Sequence, residues 1–205
     1  MNFYITCAAL LFLLFPNVAD AQEERPVHIV IAADHSGSMH KSGNIATQVD
    51  GIVAALEQYL ETCSVVRVSY IAWGVQVDEP QSFLISDTQS RTDFVRALQS
   101  EIRYRQLNAT LHIAGLLRAI EHVNSTPASY SAVVFITDEA GAWASAPLPA
   151  RTLLFKVSLG DNAVASYLST QFMPNVGRMV HANGAASVTK VMNDIFSSLT
   201  DACLG

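Results

Sequence analysis

The chain has 205 residues, half of them hydrophobic and 15% charged, with a formal net charge of −6. That apolar content excludes a disordered polypeptide, which cannot bury enough surface to offset the entropy of ordering. The negative charge excludes electrostatic attraction to nucleic acid or to anionic membranes.

Residues 3–15 are almost all apolar, from Phe3 through Leu10–Leu14 to Phe15. Pro16 and Asn17 break the run. Ala19-Asp20-Ala21 then puts small residues at the two positions that signal peptidase reads. The pattern predicts a signal peptide over residues 1–21 and an exported domain over residues 22–205, periplasmic or secreted. The run is short for a membrane anchor, which needs about 20 residues. No later stretch approaches that length, so no membrane span is expected in the mature chain. Cys7 leaves with the signal, and Cys63 and Cys203 remain. Each ends a helical pattern and continues its apolar face. Burial as free thiols and, in an oxidising compartment, a disulfide between them are both open.

Val27–Ala33 is a continuous apolar run and reads as a strand covered on both faces. A loop, DHSGSMHKSGN, follows it. Ile45, Val49, Ile52, Val53, Leu56 and Leu60 recur at helical spacing, predicting an amphipathic helix over 45–62. Val65–Trp73 is a second strand and Phe83–Ser86 a short third. Phe94, Leu98 and Ile102 mark a helix with Ser90 or Thr92 as a cap. Ile113, Leu116, Leu117 and Ile120 mark another. Ala132–Thr137 and Thr152–Leu159 are strands, and Val176–His181 is the last, after a further helix. Val188, Val191, Met192, Ile195, Phe196 and Leu199 give a closing helix. Strands alternating with helices predict an α/β fold, Rossmann-like and doubly wound, with a mainly parallel sheet and helices on both faces. In such a sheet, ligands bind in loops beyond the carboxyl ends of the strands.

The loop after the first strand begins Asp34-His35-Ser36-Gly37-Ser38. It offers one carboxylate and two hydroxyls, hard oxygen donors of the kind that Mg²⁺, Mn²⁺ or Ca²⁺ take. Thr110 precedes the helix at Ile113, and Asp138 follows the strand Ala132–Thr137. Asp34, Ser36, Ser38, Thr110 and Asp138 thus stand on three loops at one edge of the sheet. Alone, each piece is ordinary turn and capping chemistry. Together they form a candidate divalent-cation site, with Mg²⁺ the first choice and Mn²⁺ or Ca²⁺ possible.

The sequence D-H-S-G-S-M after an apolar strand, the Thr before the third helix, and F-I-T-D after the fourth strand resemble the metal-ion-dependent adhesion site of von Willebrand factor A domains. The resemblance spans roughly residues 27–200, and Trp73-Gly74 is similar to the strand ending of secreted bacterial members. It implies that Ser36, Ser38 and Thr110 ligate the cation directly, and Asp34 and Asp138 directly or through water. Glu139 departs from the Gly of many members and adds negative charge. The resemblance further implies a binding module, not an enzyme, that uses the ion to hold an Asp or Glu of a partner protein. Mostly neutral donors leave the ion electrophilic toward such a carboxylate. It also implies that engagement can slide the last helix, here Val188–Leu199. A Cys63–Cys203 disulfide would restrict that slide.

Other readings rank below this one. Asp34-His35-Ser36 has the letters of a hydrolase triad, but consecutive residues cannot point at one another. His35 and His40 have no Cys or acidic residue at zinc spacing and are expected to be solvated loop histidines. His112 and His122 are not at i, i+4, so a shared ion is not expected. Trp73 is expected in the core, and Trp143 in loop packing or on the rim facing a partner. Asn108 and Asn124 begin glycosylation sequons. An alternative class is a haloacid-dehalogenase-like metal-dependent phosphohydrolase with Asp34 as nucleophile. Its second Asp is missing, because Ser36 holds that place. A structural domain that no longer binds metal is a third reading.

Overall fold

In the computed structural model the described residues are 26–102, 107, 112–138, 148, 152–159, 179–182 and 184–204. The predicted signal peptide, Thr110, Glu139, Trp143 and Asn108 lie outside them. So does the helix expected between the last two strands. The strands are β1 (Val27–Asp34), β2 (Val66–Trp73), β3 (Gln81–Ile85), β4 (Ser131–Thr137), β5 (Thr152–Leu159) and β6 (Met179–Ala182). The helices are α1 (Gly37–Lys41), α2 (Asn44–Tyr59), α3 (Thr88–Arg96), α4 (His112–Ser125), α5 (Gly184–Ser197) and α6 (Thr200–Leu204), with a π-helical stretch over Ala97–Ile102. The sheet order is β3-β2-β1-β4-β5-β6. Only β3 runs antiparallel to its neighbour. No helix among the described residues is long and apolar enough to cross a membrane.

The central strands read as predicted because both of their faces are covered. Every residue of β1 and β4 is buried. Val27, Ile29, Ile31 and Ala33 face a core layer built with α2, α3 and α5, including Ile52, Leu56, Phe94, Met192 and Phe196. Val30 and Ala32 face the other layer, with Trp73, Phe135, Leu116 and Ile120. Trp73 is fully buried, as expected, and stacks on Phe135 with ring centroids 5.0 Å apart.

Several boundaries differ from the sequence reading. The predicted loop after β1 contains the short helix α1. α2 stops at Tyr59, and residues 60–62 form a turn in which the Cys63 N–H donates to the Tyr59 carbonyl at 3.0 Å. β3 begins at the polar pair Gln81-Ser82, which an apolar pattern does not show. The cap of α3 is Asp87, not Ser90 or Thr92. The Asp87 carboxylate accepts from the Ser90 N–H at 2.7 Å, and the Ser90 hydroxyl accepts from the Asp87 N–H at 3.1 Å. This reciprocal pair satisfies two donors that a helix start otherwise leaves open. Within the described residues the last strand runs Met179–Ala182, ending one residue beyond the predicted His181.

α2 and α5 lie side by side on one face. A Cβ placed on Gly51 would come within 2.5 Å of Val188 Cγ1, so the helices approach as closely as a glycine permits. Cys63, just after α2, and Cys203, in α6, form a disulfide with Cα atoms 5.7 Å apart.

Candidate metal centre

β1, β2 and β4 run parallel and deliver their carboxyl ends to one edge, where Asp34 lies beside Trp73 and Ala33 beside Ile136. Asp34 is fully buried. Its Oδ1 accepts the Ser36 N–H at 2.7 Å, and its Oδ2 accepts the Thr137 hydroxyl at 2.8 Å. Its carbonyl accepts from Gln48 Nε2 of α2 at 3.0 Å. Burial pushes the Asp34 carboxyl up to about 6. The bonds from Ser36 and Thr137 pull against that rise, and the charge of Asp138 adds to it.

Three further oxygens stand in a row beside it. Ser36 Oγ lies 3.0 Å from Ser38 Oγ, and the Ser38 hydroxyl donates to Asp138 Oδ1 at 3.1 Å. The structure thus brings Asp34, Ser36, Ser38 and Asp138 together from two loops one hundred residues apart. Thr110 lies outside the described residues. Asp34 and Ser36 are buried, Ser38 is exposed, and Asp138 is between them, so the row runs from the interior to the surface. Among the described residues no three His, Cys, Asp or Glu side chains gather as a metal cage. The candidate set is instead two carboxylates and two hydroxyls.

One expectation is overturned. His35 is not a solvated loop histidine but is fully buried. Its Nε2 is hydrogen-bonded to the Tyr70 hydroxyl at 2.9 Å, and the two rings meet edge to face with centroids 5.9 Å apart. His40 is exposed, as predicted. The pattern reading also passed over Thr137 and Gln48. Gln48 carried a signal: it is the one polar residue at a core-facing position among Ile45, Val49 and Ile52.

A second polar cluster lies away from the strand ends, on the α4 side of the sheet. Ser69 Oγ is within hydrogen-bond distance of His28 Nε2 (2.9 Å), His122 Nε2 (3.0 Å) and Ser82 Oγ (2.7 Å). Burial, then the charges of His122 and Arg67, push the His28 imidazole down to about 3. His122 is lowered too, by burial first.

No family model matches the sequence, and no curated protein matches it. Solved structures do. The PilB minor pilin from Streptococcus sanguinis matches 89% of this chain with a TM-score of 0.63 at 10% identity. The pilus adhesin SpaC from Lactobacillus rhamnosus GG matches 88% with a TM-score of 0.61 at 13% identity. A von Willebrand factor type A protein from Catenulispora acidiphila matches 85% with a TM-score of 0.50 at 13% identity. The chain spans 63%, 31% and 42% of those three longer chains, respectively. At these identities the likeness is one of fold, and the fold is von Willebrand factor A-like.

Proposed function

We propose that this von Willebrand factor A-like domain is an exported, adhesin-like binding module. It holds a divalent cation at the strand ends and uses that cation to grip a carboxylate of a partner protein. The observation that carries the reading is the row Ser36 Oγ, Ser38 Oγ, Asp138 Oδ1, with spacings of 3.0 and 3.1 Å. Neighbouring oxygens in an octahedral Mg²⁺ shell stand about 3.0 Å apart, because each lies about 2.1 Å from the ion. The donor set therefore fits a small hard cation, Mg²⁺ first, with Mn²⁺ or Ca²⁺ as alternatives. Ser36, Ser38 and Asp138 would hold it, Thr110 would join them, and Asp34 would act through water. When bound, the ion supplies positive charge at an exposed edge. The two hydroxyls leave that charge only partly cancelled.

Two observations support binding over catalysis. Two of the matching structures are a minor pilin and a pilus adhesin. The Asp34 carboxylate, the nucleophile of the phosphohydrolase alternative, is fully buried with both oxygens accepting hydrogen bonds. A nucleophile must touch its substrate directly, whereas a carboxylate that acts through a water needs only a spare lone pair.

The test is thermal unfolding in Mg²⁺, Mn²⁺ and EDTA. A ligand that binds only the folded state raises Tm, by about 2.7 kcal/mol of stabilisation at one hundred times its Kd. Ser38→Ala and Asp138→Ala are expected to fold and to lose most of the shift. No shift with any divalent ion in the wild-type protein sinks the proposal and leaves a structural domain.

A further inference from the structure

The side chain between the first two candidate ligands points away from them, and what it touches gives it a role. His35 sits between Asp34 and Ser36 yet is buried, and three of its polar groups reach two separate segments, β2 and Leu107. Its N–H donates to the Trp73 carbonyl at the end of β2, at 2.8 Å. Its carbonyl accepts from the Leu107 N–H, also at 2.8 Å. Its imidazole Nε2 bonds the Tyr70 hydroxyl in the interior of β2, at 2.9 Å. Leu107 is itself buried and stands three positions before Thr110 in the chain.

Tyr70 belongs to the apolar layer built with α2, α3 and α5. Burying a hydroxyl and an imidazole there is costly unless each satisfies the other. An aliphatic residue at position 35 would fill the volume without that cost. It would also leave the loop held at residue 35 by its two backbone bonds alone, with no side-chain bond to fix its rotation. The His35–Tyr70 bond fixes the rotation of residue 35, and with it the direction in which its neighbours Asp34 and Ser36 project.

We infer that His35 and Tyr70 are a positioning pair for the cation site: together they lock the Asp34–Ser38 loop to β2. The inference rests on the cation reading above, because positioning matters only if an ion is held. Neither residue touches the ion. Both act through the ligands beside His35, as outer-shell partners orient the donors of other metal sites.

The experiment separates positioning from simple support of the fold. Mn²⁺ affinity is measured by calorimetry, and Tm in EDTA is measured alongside it. The proteins are the wild type, Tyr70→Phe, and the double variant His35→Phe/Tyr70→Phe. Tyr70→Phe keeps the ring and both backbone bonds of His35 but leaves Nε2 without the hydroxyl. Its Tm in EDTA falls and its Mn²⁺ affinity weakens roughly tenfold, the lower end of what losing an outer-shell partner costs. The double variant removes both polar groups, so its Tm in EDTA recovers toward wild type. Its Mn²⁺ affinity stays weak, because only the two backbone bonds of residue 35 then hold the loop. A pair that only supported the fold would restore affinity together with Tm. If either variant, folded in EDTA, binds Mn²⁺ as tightly as wild type, the inference falls and the cation reading stands. If the wild type itself binds no Mn²⁺, Mg²⁺ or Ca²⁺, both fall together.

Discussion

Asp34 carries two opposed demands. Its carboxylate is the anchor of the candidate site, yet it is buried, and without a cation burial lifts its pKa to about 6. A carboxyl with a folded pKa above its unfolded value of about 3.9 binds more protons folded than unfolded between those values. Cation-free protein therefore loses stability through Asp34 as pH rises from about 4 to about 6, by about 3 kcal/mol in all. His28 works in the opposite sense. Its imidazole is lowered to about 3, so its contribution is lost as pH falls from about 6.5 toward 3. Comparing wild type with Asp34→Asn isolates the Asp34 part. Asparagine can still accept from the Ser36 N–H, and the Thr137 hydroxyl can turn to accept from its amide. In EDTA the Asn variant is expected to be the more stable protein at pH 7, with the difference vanishing near pH 4. Its Tm is expected not to respond to Mg²⁺. An Asn variant that is less stable than wild type at pH 7 in EDTA, or that still responds to Mg²⁺, contradicts this assignment. The sequence named Asp34 and Asp138 because each directly follows an apolar strand, and Ser36 and Ser38 because D-x-S-x-S puts two hydroxyls beside Asp34. It did not show that Asp34 would be sealed off by Thr137 and Ser36, because burial at a strand end is a tertiary property. His35 was misread for the same reason. A histidine in a polar loop looks solvated until Tyr70, thirty-five residues away, is placed beneath it.

At the scale of elements, what was legible was whatever buries two faces. β1, β2, β4 and β5 announced themselves as apolar runs, and α2 and α5 by helical spacing of Ile, Val and Leu. What was not legible was set by partners rather than by pattern. β3 opens on Gln81-Ser82 and is a strand because β2 offers it an edge, with Ser69 facing Ser82 and Tyr70 facing Gln81. Gly51 is another such position. Within a helix it lowers intrinsic stability by about 1 kcal/mol relative to alanine. It is tolerated here because Val188 of α5 occupies the space where a Cβ would go, at 2.5 Å from Cγ1 and 2.9 Å from Cβ. Val188 is fully buried and Gly51 lies in the helix backbone, so neither atom has a flexible end to swing away. Gly51→Ala is therefore expected to destabilise despite its better helix propensity. Overpacking costs about 1–3 kcal/mol, against about 1 kcal/mol gained, for a net loss of up to roughly 2 kcal/mol. Chemical denaturation reads this directly. Adding Val188→Ala to Gly51→Ala should cost less than the two single losses summed, since each relieves the other. Simple additivity, or a stabilised Gly51→Ala, would show that α2 and α5 do not meet at this point.

Over the whole molecule, alternation of strand and helix was enough to predict the doubly wound sheet. A crossover in the sheet places the first and fourth strands side by side, and the candidate ligands of their distant loops then meet. The fate of the cysteines was the question that pattern left open, because free thiols and a disulfide both suit two buried helix ends. The fold brings Cys63 and Cys203 to a Cα separation of 5.7 Å, within bonding reach, and joins them across a sequence separation of 140 residues. The link ties α6, beyond α5, to the end of α2, and so closes the chain across its longest internal span. In the chain-entropy picture, closing a loop of that size removes about 5 kcal/mol of freedom from the unfolded state, though strained or compact references return less. For a domain of this size 1 kcal/mol moves Tm by about 2–4 °C, so reduction is expected to lower Tm by roughly 10 °C or more. Cys63→Ser/Cys203→Ser should show the same fall without reductant, and wild type with reductant should match it. The bond ties the segment just after α5 to the end of α2, so opening it should loosen amide protection at the end of α5 before that of β1 or β4. Two free thiols in the non-reduced mass, or a Tm indifferent to reductant, would mean that apolar packing alone holds the terminal helices in place.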